Sequence, residues 1–206
     1  MKGVFITFEG SEGCGKSTQS YLLYQYLKRK GYKAIYLREP GSTAIGEKIR
    51  KILLDPNNDS LTAVSEMLLY MAARSQIVDE IIKPALAAGK LVICDRFLDS
   101  TLAYQGYGLG LDIKLLEEIG KHVTRKIRPD LTILLDLAIH KGFKYHDSRK
   151  DRIEQRSLLY HARVRNGYLR LARRHATRIK IIKVDGNKNQ IQKQIRKLID
   201  NFLKRR

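Results

Sequence analysis

Two hydrophobic periods alternate along this chain. Short apolar runs fall at Val4 to Phe8, Ala34 to Leu37, Leu91 to Cys94, Leu131 to Leu135 and Ile179 to Val184, which is the pattern of strands buried on both faces. The stretches between them carry helical spacing instead. In "STQSYLLYQYLKRK" Leu22, Leu23, Tyr26 and Leu27 share one face, and in "NQIQKQIRKLIDNFLKRR" so do Ile191, Ile195, Leu198, Ile199 and Phe202. The alternation predicts an α/β fold with about five parallel strands joined by helical crossovers. No repeat, low-complexity tract or linker-like break divides the 206 residues, so they read as one domain. In an open parallel sheet, ligands gather beyond the carboxyl ends of the strands, so the residues after each apolar run are the informative ones.

The first of these ends is the most specific. Within "FITFEGSEGCGKSTQ", Gly10, Ser11, Glu12, Gly13, Cys14, Gly15, Lys16 and Ser17 satisfy G-x-x-x-x-G-K-[ST], and Thr18 follows. At that spacing successive backbone N–H groups curl around an anion that side chains would otherwise obstruct. A helix follows the loop, so the phosphate meets unpaired N–H groups and a favourable dipole. Lys16 is expected to reach the β- and γ-phosphates and the Ser17 hydroxyl to ligate magnesium. The strand–loop–helix context points to a three-layer P-loop NTPase fold. A dinucleotide fingerprint fits less well, because Thr18 stands where its third glycine would fall.

Composition adds one question. Forty Lys and Arg face 21 Asp and Glu, a formal net charge of +19, which draws polyanions at low salt. The cations are spread along the chain with no uninterrupted basic tract. General surface bias explains them at least as well as a nucleic-acid site, and no specific nucleic-acid partner is expected. Cys14 and Cys94 make no disulfide framework, and Cys14 reads as a small residue tolerated in the loop. His122, His140, His146, His161 and His175 show no zinc-binding spacing. With no signal peptide and no apolar segment of about 18 residues, the expectation is a cytoplasmic protein without membrane contact.

Charge gathers again after the later strands, in "REPGSTAIGEKIR", "DRFLDSTLAYQGYG" and "DLAIHKGFKYHDSRKDRIEQR". One phosphate loop needs fewer cations, which suggests a second anionic substrate. With these segments in order, and with "LLYMAARSQ", "PDLTILLDL" and "ARVRNGYLRLA", the chain resembles the bacterial thymidylate kinases, within the nucleoside-monophosphate kinases, over nearly all of Phe5 to Asp185. The resemblance implies transfer of the γ-phosphoryl of ATP to dTMP, giving dTDP and ADP for dTTP synthesis, with Mg2+ and in a homodimer. An acceptor phosphate with its second pKa at about 6 needs no general base. Catalysis then reduces to aligning two anions and neutralising the charge between them.

Carried over residue by residue, the resemblance assigns Gly10 to Thr18 to ATP, and Glu12 also to the acceptor sugar's 3′-hydroxyl region. Asp95 sits where a Walker-B-like carboxylate would position magnesium with Ser17. Arg96 is similar to the arginine that clamps the acceptor phosphate, with Arg38 and Arg50 as further phosphate contacts. Tyr70 matches an aromatic that stacks on thymine, and Arg74, one turn later, would donate to O4. Thr101 and Gln105 fall where the family bonds the pyrimidine edge, and Tyr104 where it crowds the sugar's 2′ position.

The lid departs from the pattern. In bacterial relatives its arginines precede "DRIE" with R-G-x-x-D-R spacing, but here Asp147 and Ser148 stand where Arg and Gly are expected. Lys141, Lys144, Arg149, Lys150 and Arg152 could supply the charge. Lysine lacks the guanidinium fork, so Arg149 and Arg152 are the catalytic candidates beside Lys16 and Arg96, in a flexible segment at about 140–153. "GYGLGLD", Gly106 to Asp112, reads as a mobile connection, since it lacks a lysine and strand context. Two other classes remain open: a kinase of another nucleotide, and a P-loop ATPase that binds nucleic acid, which would show salt-dependent complexes.

Overall fold

The computed structural model describes residues 3–142 and 151–205. Its sheet has five parallel strands, β1 (Val4–Gly10), β2 (Ala34–Arg38), β3 (Leu91–Asp95), β4 (Leu131–Asp136) and β5 (Ile179–Lys183), in the spatial order β2-β3-β1-β4-β5. The expected strands are all present. Four of them run past the apolar stretch, drawing Glu9, Arg38, Asp95 and Asp136 into the sheet. Pairing of Phe8 with Asp95 and of Gly10 with Leu135 sets the carboxyl ends of β1, β3 and β4 side by side.

Alternation along β1 divides the core. Val4, Ile6 and Phe8 meet Leu23 and Leu27 of α1 (Lys16–Arg29) and, from the last helix, Ile191, Ile195 and Ile199. Phe5 faces the opposite layer, against Ile77, Ile82 and Phe97. Each such side chain taken fully out of water contributes about 1.5–3 kcal/mol, which is why the sheet is a rigid base for the polar residues at its ends. After α2 (Ala44–Leu54), helix α3 (Ala63–Ile77) runs through a wide π-helical turn into α4 (Lys83–Ala87). Helix α5 (Leu98–Thr101) likewise continues in wide turns over Leu102–Gly108 before α6 (Ile113–Val123). A short α7 (Ile139–Gly142) follows β4, and α8 (Leu158–Arg174) and α9 (Lys188–Lys204) complete the layers.

The glycines of "GYGLGLD" have a different use from the one expected. Gly106 and Gly108 are buried in the wide turns, and a Cβ on Gly108 would stand 2.7 Å from the Tyr160 ring. They allow close packing against α6 and α8; a mobile connection is not what the sequence encodes there. Among the described residues no helix is long and apolar enough to cross a membrane.

Candidate active site

Helix α1 starts differently from its neighbours. Side chains of Thr43, Thr62, Asp112, Ser157 and Asn187 cap α2, α3, α6, α8 and α9, whereas Gly15, in the left-handed region at φ 84°, offers α1 none. The first N–H groups of α1 therefore have no side-chain acceptor, the condition an anion would satisfy. Lys16 is buried and folds back over the loop, donating from Nζ to the Ser11 carbonyl at 2.7 Å, with Glu12 Oε2 at 3.9 Å. Burial raises the Cys14 thiol, so the thiolate needed for redox chemistry is scarce. The loop also abuts α7, since a Cβ on Gly13 would meet the Gly142 carbonyl oxygen at 2.5 Å.

At the end of β3, Asp95 accepts a hydrogen bond from Ser17 Oγ at 2.5 Å through Oδ2, while its buried Oδ1 has no hydrogen-bond partner among the described residues. One hydroxyl and one orphaned carboxylate oxygen suit Mg2+, which takes few protein oxygens and shares substrate phosphate. Among the described residues no cluster of three or more His, Cys, Asp or Glu could hold a metal without such help.

Arg96, the next residue, is a non-glycine at φ 72°, a conformation that persists only where surroundings impose it. Its Nη2 donates to Glu12 Oε1 at 2.6 Å, Tyr104 OH donates to the same oxygen at 2.7 Å, and the guanidinium lies 4.9 Å from the Tyr104 ring centre. Burial pushes the Glu12 carboxyl up, but Arg96, then Lys16 and Tyr104, outweigh it and hold the group down at about 2. Beneath this centre lies Glu9, which accepts from Phe97 N–H at 2.8 Å, Ser100 Oγ at 2.6 Å and Tyr168 OH at 2.9 Å. Burial first, then the nearby Asp99 carboxylate, raise Glu9 to about 7. Three donors from two elements thus fix the turn from which Arg96 projects.

The opposite wall repeats the device. Arg74, 1% exposed, donates from Nε to Glu39 Oε2 at 2.8 Å, from Nη1 to Thr101 Oγ1 at 2.9 Å and from Nη2 to the Phe97 carbonyl at 3.0 Å. Burial raises Glu39 to about 7 even against Arg74. Glu66, 0% exposed, accepts from Gln105 Nε2 at 2.8 Å and pairs with Arg152 at 2.7 Å and Arg156 at 2.6 Å. Arg38 is held by Glu47 at 3.0 Å, and Arg50 donates to the Pro40 carbonyl at 3.0 Å.

These groups surround one cleft of about 520 Å³. Of the sequence-predicted residues, Glu12, Gly13, Gly15, Lys16, Ser17 and Thr18 line it from the loop. Arg38, Arg50, Tyr70, Asp95, Arg96, Thr101, Tyr104 and Gln105 line the rest. Gly10, Ser11 and Cys14 support the loop from behind, and Arg74 stands behind Thr101. Arg152 is turned away from the cleft, with its Nε donating to the Leu53 carbonyl at 2.9 Å and its Nη2 paired with Glu66. A buried carboxylate with no solvent holds it there. Arg149 lies outside the described residues.

A family profile described as thymidylate kinase matches residues 8–195. The chain belongs to the thymidylate kinase family. It is 46% identical over 204 residues to a thymidylate kinase of Symbiobacterium thermophilum, covering 98% of this chain and 95% of that one. A thymidylate kinase of Geotalea daltonii is 49% identical over 91% of each chain. The crystal structure of thymidylate kinase from Ehrlichia chaffeensis superposes with a TM-score of 0.80 at 34% identity, covering 97% of this chain and all of that one.

Sequence reasoning passed over Glu9, Glu39, Glu66 and Tyr168. Glu9 carried a signal: it follows Phe5 and Thr7 on one face of β1, a strand buried at every position, where a carboxylate must be satisfied. Glu66 lies one turn before Tyr70 on α3 and so shares its face. Tyr168 gave none, since a tyrosine on an amphipathic helix reads as core.

Proposed function

We propose that this chain transfers the γ-phosphoryl group of ATP to thymidine 5′-monophosphate, giving thymidine diphosphate and ADP. The observation that carries the reading is that the phosphate loop and the Glu12–Arg96–Tyr104 centre open into the same cleft. Donor phosphates occupy the N–H groups from Gly13 to Thr18, and Lys16 exchanges the Ser11 carbonyl for their oxygens. Ser17 and Asp95 would hold Mg2+, which when bound neutralises charge between the two nucleotides. Arg96 clamps the acceptor phosphate, with Arg38 and Arg50 adding positive charge on the same wall. Glu12, ionised, accepts from the sugar's 3′-hydroxyl, and Tyr104 crowds the 2′ position.

Tyr70 stacks on thymine, and Thr101 and Gln105 meet its polar edge. Every Arg74 nitrogen is already bonded, so its share in reading O4 passes through the Thr101 hydroxyl it steers. Arg149 supplies the lid charge, while Arg152 anchors the lid's end on Glu66; the lid itself is assigned to about 140–153 of a single domain. Val64 and Leu68 on α3 and Leu115 on the adjacent α6 expose apolar side chains, which supports a homodimer, in a cytoplasmic setting.

The test is phosphoryl transfer from ATP to dTMP, dUMP, dCMP, AMP and GMP. Preferential dTDP formation is expected, with cytosine rejected more strongly than uracil, because unmatched buried donors exclude a ligand more sharply than one missing methyl, worth about 1–3 kcal/mol. Equal use of dCMP or of a purine monophosphate would overturn the assignment.

A further inference from the structure

A second cleft, of about 230 Å³, lies at the amino ends of β4 and β5, walled by α5, α6 and the Thr124–Pro129 connection. Five cationic side chains line it, Lys121, Lys126, Arg128, Arg174 and Arg178, against two carboxylates. Both carboxylates are taken: Arg178 holds Asp99 with contacts of 2.5 and 2.9 Å, and Arg174 holds Glu117 at 2.8 Å. Lys121, Lys126 and Arg128 have no carboxylate partner among the described residues. Arg125 and Lys126 are consecutive non-glycines at φ 52° and 59°, a costly turn that brings Lys126 and Arg128 to the same hollow. His175, on the cleft wall, is pushed below its ordinary pKa by burial and then by Arg178, so it adds no charge of its own. Leu98, Leu102 and Ile127 supply an apolar floor.

Convergent uncompensated cations beside an apolar floor in a concave site describe an anion joined to an organic group. We propose that this cleft binds a small phosphate ester, its phosphate on Lys121, Lys126 and Arg128 and its organic part on Leu98, Leu102 and Ile127. The site shares a wall with the acceptor pocket. Asp99 precedes Ser100, the hydroxyl that lies between Glu9 and Arg96, so a ligand that draws Arg178 off Asp99 disturbs the turn holding Arg96. That kinetic consequence rests on the function proposed above; the binding does not.

Two histidines separate the sites: His175 lines the second cleft, and His161 acts electrostatically on Glu12. Imidazole NMR signals of the full chain would be followed during titration with phenyl phosphate and, separately, inorganic phosphate. Phenyl phosphate is expected to give a saturable His175 shift at lower concentration than inorganic phosphate. The Lys126→Glu, Arg128→Glu double variant should lose that shift while keeping its folded spectrum, its His161 response to dTMP and its turnover. A His175 signal that stays still, or that moves equally in the double variant, overturns the site. Equal response to inorganic phosphate overturns the ester assignment. With binding established, phenyl phosphate should raise the KM for dTMP at saturating ATP by about fivefold in the parent and not in the double variant, a common size of coupling between sites, and a KM that is unchanged, or raised equally in the variant, would refute the coupling alone.

Discussion

The two ends of the cleft are built by opposite means. The proposed donor end is contiguous, Gly10 to Thr18, and offers backbone N–H groups that the helix start leaves without a side-chain cap. The acceptor end gathers Glu9, Glu39, Glu66, Arg74 and Arg96 from distant parts of the chain, and buried carboxylates hold its arginines or the turns that carry them. One end can therefore lose function while the fold stands. At the other, recognition and stability share the same bonds.

Arg74→Ala is the strongest test of that difference. It leaves Glu39 buried without its cation, which costs about 3–5 kcal/mol, and frees Thr101 from its orientation. Because burial already raises Glu39 to about 7, the orphaned carboxyl can escape part of the penalty by taking a proton. Urea unfolding should show a larger loss at pH 8 than at pH 6, together with weaker discrimination between dTMP and dCMP. A variant as stable as the parent would erase the proposed contrast.

Lys16→Ala probes the donor end. Removing one positioned charge from the transferring phosphoryl is expected to lower kcat about 10³-fold, with the melting temperature moved by no more than about 2 °C. Among the described residues the Lys16 ammonium meets groups of its own loop alone, the Ser11 carbonyl, the Cys14 sulfur and Glu12, so little of the fold depends on it. A melting loss as large as that of Arg74→Ala would show that the loop is structural too. Arg96→Lys is intermediate. The charge stays but the fork that spans Glu12, Tyr104 and Ser100 is lost, so kcat/KM for dTMP should fall about 10²-fold. A drop confined to KM for ATP would move Arg96 to the other end of the cleft.

The same contrast decides what could be read beforehand. The phosphate loop was legible because contiguous backbone chemistry needs a fixed spacing, and the strands because burial on both faces leaves continuous apolar runs. Tyr70, Arg96, Tyr104 and Gln105 were placed at the cleft through the resemblance. Their partners were not legible, because pairing Arg74 with Glu39 or Arg152 with Glu66 spans 35 and 86 positions in a numbering that carries no distance. Arg152 illustrates the cost: as a lid cation it reads as catalytic, and only the buried Glu66 shows where its charge is used. The glycines at 106 and 108 read as looseness when they serve tight packing.

The smallest expected effect, and the sharpest on mechanism, is that of Glu9→Gln. The substitution keeps the shape and the acceptor oxygen, and the Ser100 and Tyr168 hydroxyls can turn to meet the new NH2 group, so turnover should fall only severalfold, about 1 kcal/mol for one weakened hydrogen bond. Its pH dependence is the informative part. Burial and Asp99 raise Glu9 from 4.5 to about 7 in the folded chain, so the native state binds this proton more tightly than the unfolded one. Stability is then fully present below about 4.5 and is lost as pH rises through about 7. Glutamine has no such titration. The melting temperature of the variant minus that of the parent should therefore increase from pH 5 to pH 8, while contributions common to both, such as Glu39, cancel. A flat difference would return Glu9 to an ordinary carboxylate, ionised at neutral pH, that holds the turn beneath Arg96 as an anion accepting from Phe97, Ser100 and Tyr168.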